Sequence, residues 1–153
     1  MALNVDDDAF PMLWYAFLGE LSVEDADRFA EHNRRALERA RDEGVQLFML
    51  IDCLQAGKAG AETRHRFGTY TKEVFEPMRA HCGGTAVLIS NAILRGAMTA
   101  VQWVAPEAMS GTRVAKDLEH GLEQLRAMAE EAGAPLSAAD TDALIARHYP
   151  DAA

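Results

Sequence analysis

The stretch "VQLFMLID", Val45 to Asp52, constrains this chain more than any other part of it. It is a near-continuous apolar run, too short for a stable helix, and its polar and apolar positions do not alternate. Continuity of this kind belongs to a strand covered on both faces, such as an inner strand of a parallel sheet. Parallel neighbours need a crossover, and the crossover is usually a helix. The flanking segments should therefore be helical, with further strands beyond them.

They read that way. "MLWYAFLGELS" predicts a strand over Leu13 to Leu18, with Gly19 turning the chain. Ser22 is placed as an N-cap, followed by Glu24 and Asp25 where the helix dipole favours acids. Ala26, Phe29, Ala30, Leu37 and Ala40 then form one apolar stripe, and Gly44 is a C-terminal stop. Beyond the inner strand, Phe67, Tyr70, Val74, Phe75 and Met78 mark a second amphipathic helix that Pro77 distorts or ends. "CGGTAVLIS" predicts a third strand. Asn91 is placed to cap a third helix carrying Ile93, Leu94, Ala97, Met98, Val101 and Val104, stopped by Pro106. "GTRVA" is a short fourth strand, and Asp117 caps a helix with Leu118, Leu122, Leu125 and Met128 or Ala129 inward, closed by Gly133. Strand and helix alternate throughout, so the expected fold class is α/β, with a mostly parallel sheet of four to five strands.

A length of 153 residues suits one domain with a real core. We divide it into an N-terminal arm (1–12), an α/β domain (13–133) and a C-terminal extension (134–153). Ser137, with Asp140 three residues on, predicts a short helix in the extension. That helix should pack Leu144 and Ile145 onto the domain or onto a second copy of the chain. The net charge of −9 argues against nucleic acid and anionic membrane surfaces as partners. No apolar run reaches the roughly 18 residues of a membrane span. "MALNVDDDAF" is acidic where a secretory signal would be basic, so the expected location is cytoplasmic. Cys53 and Cys82 lack CxxC spacing and read as reduced thiols.

Asp52 and Cys53 end the inner strand, where ligands of α/β sheets often bind, and His65 lies nearby along the chain. A nucleophilic cysteine would also need a base and an oxyanion site. The ordinary alternative is a small buried thiol beside an aspartate that bonds the backbone. "QAGKAGAET" carries G-x-x-G with Lys58 between the glycines, unlike a phosphate loop, and "GGT" precedes a strand instead of following one. His32, His65, His81, His120 and His148 are scattered, with no H-E-x-x-H, so neither metal nor cofactor is expected. Glu123, Glu130 and Glu131 read as a solvated helix face. Trp14 and Trp103 read as core.

Several segments carry a family resemblance. "FLGELSVEDADRF" resembles the opening of bacterial STAS-like proteins. "LFMLIDC" is similar to their second buried strand, "TAVLIS" followed by "NAILRGAMTAVQW" to their third strand and helix, and "TRVAKDLEHGLEQL" to their final strand and helix. The match spans Leu13 to Ala132 and is nearest to the SpoIIAA-like, or STAS/SEC14-type, group. The resemblance implies a non-enzymatic regulatory module that binds a protein partner such as a kinase. Anti-sigma-factor antagonists of this type carry a phosphorylated Asp-Ser pair at the start of the second helix. Here that place reads "GAETRHRF", so Thr63 is the one candidate surrogate, with simple helix capping as its alternative. A phosphate there would meet free backbone N–H groups and the helix dipole.

The sequence therefore nominates the loop and helix start from Gln55 to Arg66 as a recognition surface. Lys58, Thr63, Arg64 and Arg66 are its candidate partner-binding residues, and Arg95 on the third helix is a further one. Two alternatives stand beside it: a carrier of a small apolar ligand or lipid, as the SEC14 kinship implies, and a cysteine-dependent enzyme. A carrier should show an enclosed apolar cavity of a few hundred Å3, and a module a filled core.

Overall fold

The two most apolar runs of the chain lie side by side at the centre of a five-stranded sheet. The computed structural model describes residues 3–92 and 111–152. Strands β1 (Leu3–Asp6), β2 (Met12–Leu21), β3 (Leu47–Ala59), β4 (Cys82–Leu88) and β5 (Thr112–Ala115) stand in the order β1-β2-β3-β4-β5. Four of them are parallel neighbours, and β1 is antiparallel to β2. The parallel sheet inferred from the continuity of "VQLFMLID" is present, and Leu47, Phe48, Met49 and Leu50 are fully buried.

Helix α1 (Val23–Glu43) starts at Ser22, whose hydroxyl accepts from the Asp25 N–H while the Asp25 carboxylate accepts from the Ser22 N–H. This reciprocal capping satisfies two donors that would otherwise be unpaired. Gly44 closes the helix at φ 67°, in the left-handed region. Helix α2 (Ala61–Tyr70) widens over Thr71–Phe75 into a turn where the Glu76 N–H reaches back to the Thr71 carbonyl. Pro77 lies just beyond and lacks an N–H for the Glu73 carbonyl, which is the distortion expected of it. Helix α3 (Leu118–Glu131) is capped by Asp117, and helix α4 (Ala138–His148) by Ser137. The expected third helix over Ile93 to Val104, with Trp103 and Arg95, lies outside the described residues.

The two sheet faces bury different sets of side chains. One carries Trp14, Phe48, Leu50 and Leu88 against Leu122, Leu125 and Met128 of α3 and Leu144 of α4. The other carries Leu13, Tyr15, Phe17 and Met49 against Phe29 and Leu37 of α1 and Tyr70 of α2. A fully buried leucine on either face contributes about 1.5–3 kcal/mol.

Three features depart from the sequence reading. The segment set apart as an arm supplies β1, whose Leu3 pairs with Phe17 and is buried. Gly19 does not turn the chain. It sits inside β2 at φ 67°, between two register irregularities opposite β3. The glycine-bearing stretch after Asp52 is not a loop either, because β3 runs on to Ala59 beside β2, pairing Gly19 with Ala56 and Leu21 with Ala59. Glycine makes this continuation possible: a Cβ at Gly57 would lie 3.0 Å from the Gly19 carbonyl carbon and oxygen.

Candidate functional site

The extension past β4 changes the nominated recognition surface. β4 pairs with β3 only as far as Asp52, so β2 and β3 continue together as a two-stranded ribbon that leads into α2. Lys58 is exposed on that ribbon and makes no ion pair among the described residues. Arg64 is exposed on α2, and its guanidinium donates to the Ala59 carbonyl at 2.8 Å. Arg66 is tied to α1 by donating to both Asp27 carboxylate oxygens at 2.9 Å. Lys58 and Arg64 thus remain at one end of the molecule, while Arg66 is neutralised on its flank. Thr63 is neither exposed nor the helix cap. Gly60 holds the cap position, and Thr63 is buried with its hydroxyl 3.5 Å from the Leu21 carbonyl. A kinase has no access to that hydroxyl in this conformation. Arg95 lies outside the described residues.

Asp52 and Cys53 follow the ordinary alternative. The Asp52 carboxylate accepts from the Leu54 N–H at 2.9 Å and from the Tyr149 hydroxyl at 2.5 Å. Burial, with a smaller push from the Asp52 charge, raises the Cys53 thiol to about 12. A thiol held there is protonated near neutrality and is a poor nucleophile. Among the described residues, no group of three or more His, Cys, Asp or Glu side chains could hold a metal ion, and no helix is long and apolar enough to cross a membrane.

The C-terminal extension packs on one face. Leu144 is 1% exposed, and Ile145 packs beside it. The His148 ring stacks on Trp14 at 3.7 Å between centroids, and the Trp14 indole N–H donates to the Tyr149 hydroxyl at 2.8 Å. Arg147 and His148 both reach Asp6, at 2.9 and 2.6 Å. The extension therefore packs on its own domain and ties β1, β2 and β3 together.

The opposite face holds a cleft. It measures about 280 Å3 and lies between the sheet and the helices α1 and α2. Phe17, Phe29, Met49, Ile51, Phe67, Phe75 and Val87 line most of it, with Asn33, Tyr70, Thr71, Thr85 and Thr112 as the polar part. None of these lining residues is charged.

Asn33 and Tyr70 belong to a chain of hydrogen bonds that runs from the cleft to the surface. The Tyr70 hydroxyl donates to Asn33 Oδ1, and Asn33 Nδ2 donates to the Tyr15 hydroxyl at 3.2 Å. Tyr15 meets His32 Nδ1 at 2.7 Å, and His32 Nε2 meets the Asp7 carboxylate at 3.0 Å. A carboxylate only accepts, so Nε2 carries the proton. In the neutral ring Nδ1 is then the acceptor, and Tyr15 donates to it. Every link donates in the same direction, outward to Asp7. Burial raises both phenols above their ordinary 10.

Sequence reasoning missed this chain. One signal pointed to it: Asn33 lies on the apolar stripe of α1, between Phe29 and Leu37, where an uncharged polar side chain must find partners inside the fold. The pairing of Tyr15 with Tyr70 and the space beside them depend on how the helices sit on the sheet.

Against known proteins, no family model and no curated protein matches the chain. A solved structure does match it: an uncharacterized protein from the DUF3478 family with a SpoIIAA-like fold, from Shewanella loihica PV-4. The TM-score is 0.58 at 14% identity, over 81% of this chain and 92% of that one. The chain therefore has a SpoIIAA-like fold, as the resemblance of its strands and helices implied.

Proposed function

We propose that this SpoIIAA-like domain is a non-enzymatic binding protein that takes a small apolar ligand into the cleft between the sheet and α1 and α2. The observation that supports the reading is the cleft itself. It is a cleft of about 280 Å3, open to the surface and walled by Phe17, Phe29, Met49, Phe67 and Phe75. Sites for small molecules are concave and mostly apolar, with few polar groups to fix orientation. Asn33 and Tyr70 supply those groups here.

Native mass spectrometry of the purified chain tests this together with ligand-observed NMR, using naphthalene as an apolar probe. The expected result is a co-purified small ligand or saturable naphthalene binding that Val87→Phe abolishes by filling the cleft. No binding by the wild type, or binding that Val87→Phe leaves unchanged, would overturn the reading.

A second reading keeps a protein partner for the ribbon end. Lys58 and Arg64 are exposed there on a chain of net charge −9, and Leu18, exposed to 36%, lies on the same ribbon. A local reversal of sign steers an acidic partner. Lys58→Glu with Arg64→Glu should weaken capture of such a partner and make what remains less sensitive to salt. Equal capture by wild type and the folded double variant would remove this surface from consideration.

A further inference from the structure

We propose that the cleft selects a small neutral ligand bearing a hydrogen-bond donor, a hydroxyl or N–H, over the corresponding ether or carboxylate. The proposal rests on the apolar-ligand reading above and names the chemistry that the same site prefers.

Its basis is the direction of the hydrogen-bond chain. Tyr70 spends its one proton on Asn33 Oδ1, and that arrangement is held from behind by Tyr15, His32 and Asp7. Thr71 likewise spends its proton on the Phe67 carbonyl at 2.9 Å. At both places the hydroxyl has lone pairs left and no proton to give. A lone pair is matched by a donor, and an ether or carbonyl oxygen placed against it finds nothing to accept from. The Thr85 hydroxyl leans on the Cys82 sulfur at 3.7 Å, where either atom can donate.

Charge is excluded by the same surroundings. Among the described residues no lining side chain is charged, so none of them would pair with a carboxylate or ammonium taken out of water there. The raised phenol of Tyr70 reports an environment that disfavours anions. Size sets the other limit. A space of about 280 Å3 lies at the low end of ligand pockets, which run from about 300 Å3 upward. One or two fused rings, or a short aliphatic frame, suit it better than a two-chain lipid.

The test compares three probes on the full chain by calorimetry near neutral pH: 2-naphthol, 2-methoxynaphthalene and 2-naphthoate. The expected order places naphthol about five- to tenfold tighter than the ether, the worth of one neutral hydrogen bond. Naphthoate should be weaker than both. In Tyr70→Phe, checked for folding by circular dichroism, the preference for naphthol over the ether should fall below about twofold while the affinity for the ether is retained. If Tyr70→Phe does not fold, the wild-type ranking decides alone.

Equal affinity for naphthol and ether, or tighter binding of naphthoate, would overturn the donor preference and leave the apolar-ligand reading standing. A preference that survives in folded Tyr70→Phe would overturn the assignment to this hydroxyl. Failure of all three probes to bind would overturn both proposals.

Discussion

The two faces of the sheet are packed to different ends. On the α3 and α4 face, a Cβ added at Gly121 would come 2.2 Å from Leu88 Cδ2, and the C-terminal extension lays His148 and Tyr149 over Trp14. On the α1 and α2 face, aromatic rings meet edge to face or tilted around Phe29, but space is left beside them and a polar chain leads from it to the surface. The first face is tight at Gly121 and under the Trp14–His148 stack, and its open space, a hollow of about 460 Å3, lies at one end between Met12, Phe48 and the Ala134–Ser137 turn. The second keeps its space in the middle, beside a buried polar chain.

The largest effect that tests this contrast should come from Leu144→Ala. It removes a fully buried side chain from the tight face, and the loss should be about 2–5 kcal/mol in urea unfolding. A loss below about 1 kcal/mol would mean that the extension only lies on the surface. Gly121→Val should follow, at about 1–3 kcal/mol, because the added methyls meet Leu88 and Leu50. Thermal unfolding would show it, and an unchanged midpoint would contradict tight packing there.

Val87→Phe on the looser face should cost under about 1 kcal/mol, since it enters existing space. The same denaturation series checks it: a cost as large as that of Gly121→Val would erase the difference between the faces.

The smallest effect at neutral pH should come from Asp6→Asn, which shows itself in acid. Burial works to raise the Asp6 carboxyl, but hydrogen bonds from His148, the Asp8 N–H and Arg147 outweigh it and hold it below the usual 3.8. A folded value below the unfolded one contributes stability that is present above 3.8 and is lost as pH falls through the folded value. Stability of the wild type should therefore drop more steeply than that of Asp6→Asn as pH falls below 3.8. Parallel curves for the two proteins would show that Asp6 does not secure the extension.

Much of this architecture was legible from local pattern. An apolar run of strand length, a serine three residues before an aspartate, and a stripe at helical spacing each respond to forces acting within a few residues of chain. For that reason β3, the cap of α1, the helix in the C-terminal extension and the α/β class could be read directly. The nominated basic cluster was visible in the same way, as Lys58, Arg64 and Arg66 close together along the chain. Its division was not visible, because Asp27, which takes Arg66, comes from another helix.

Glycine misled at the ribbon for a related reason. Gly19 and Gly57 read locally as turn and loop glycines, but Gly19 is needed for its φ of 67° inside β2, and Gly57 because the Gly19 backbone passes close by. The cleft lies at the far limit of what local pattern can show. Tyr15, His32, Asn33 and Tyr70 are ordinary residues in the sequence. They become one directed chain only when strand β2 and helices α1 and α2 converge, because hydrogen-bond direction and empty volume are properties of side chains brought together from distant parts of the sequence. The sequence by itself determined most of the elements and the faces they bury; the tertiary structure alone decided where side chains from distant segments leave space between them and which polar groups line it.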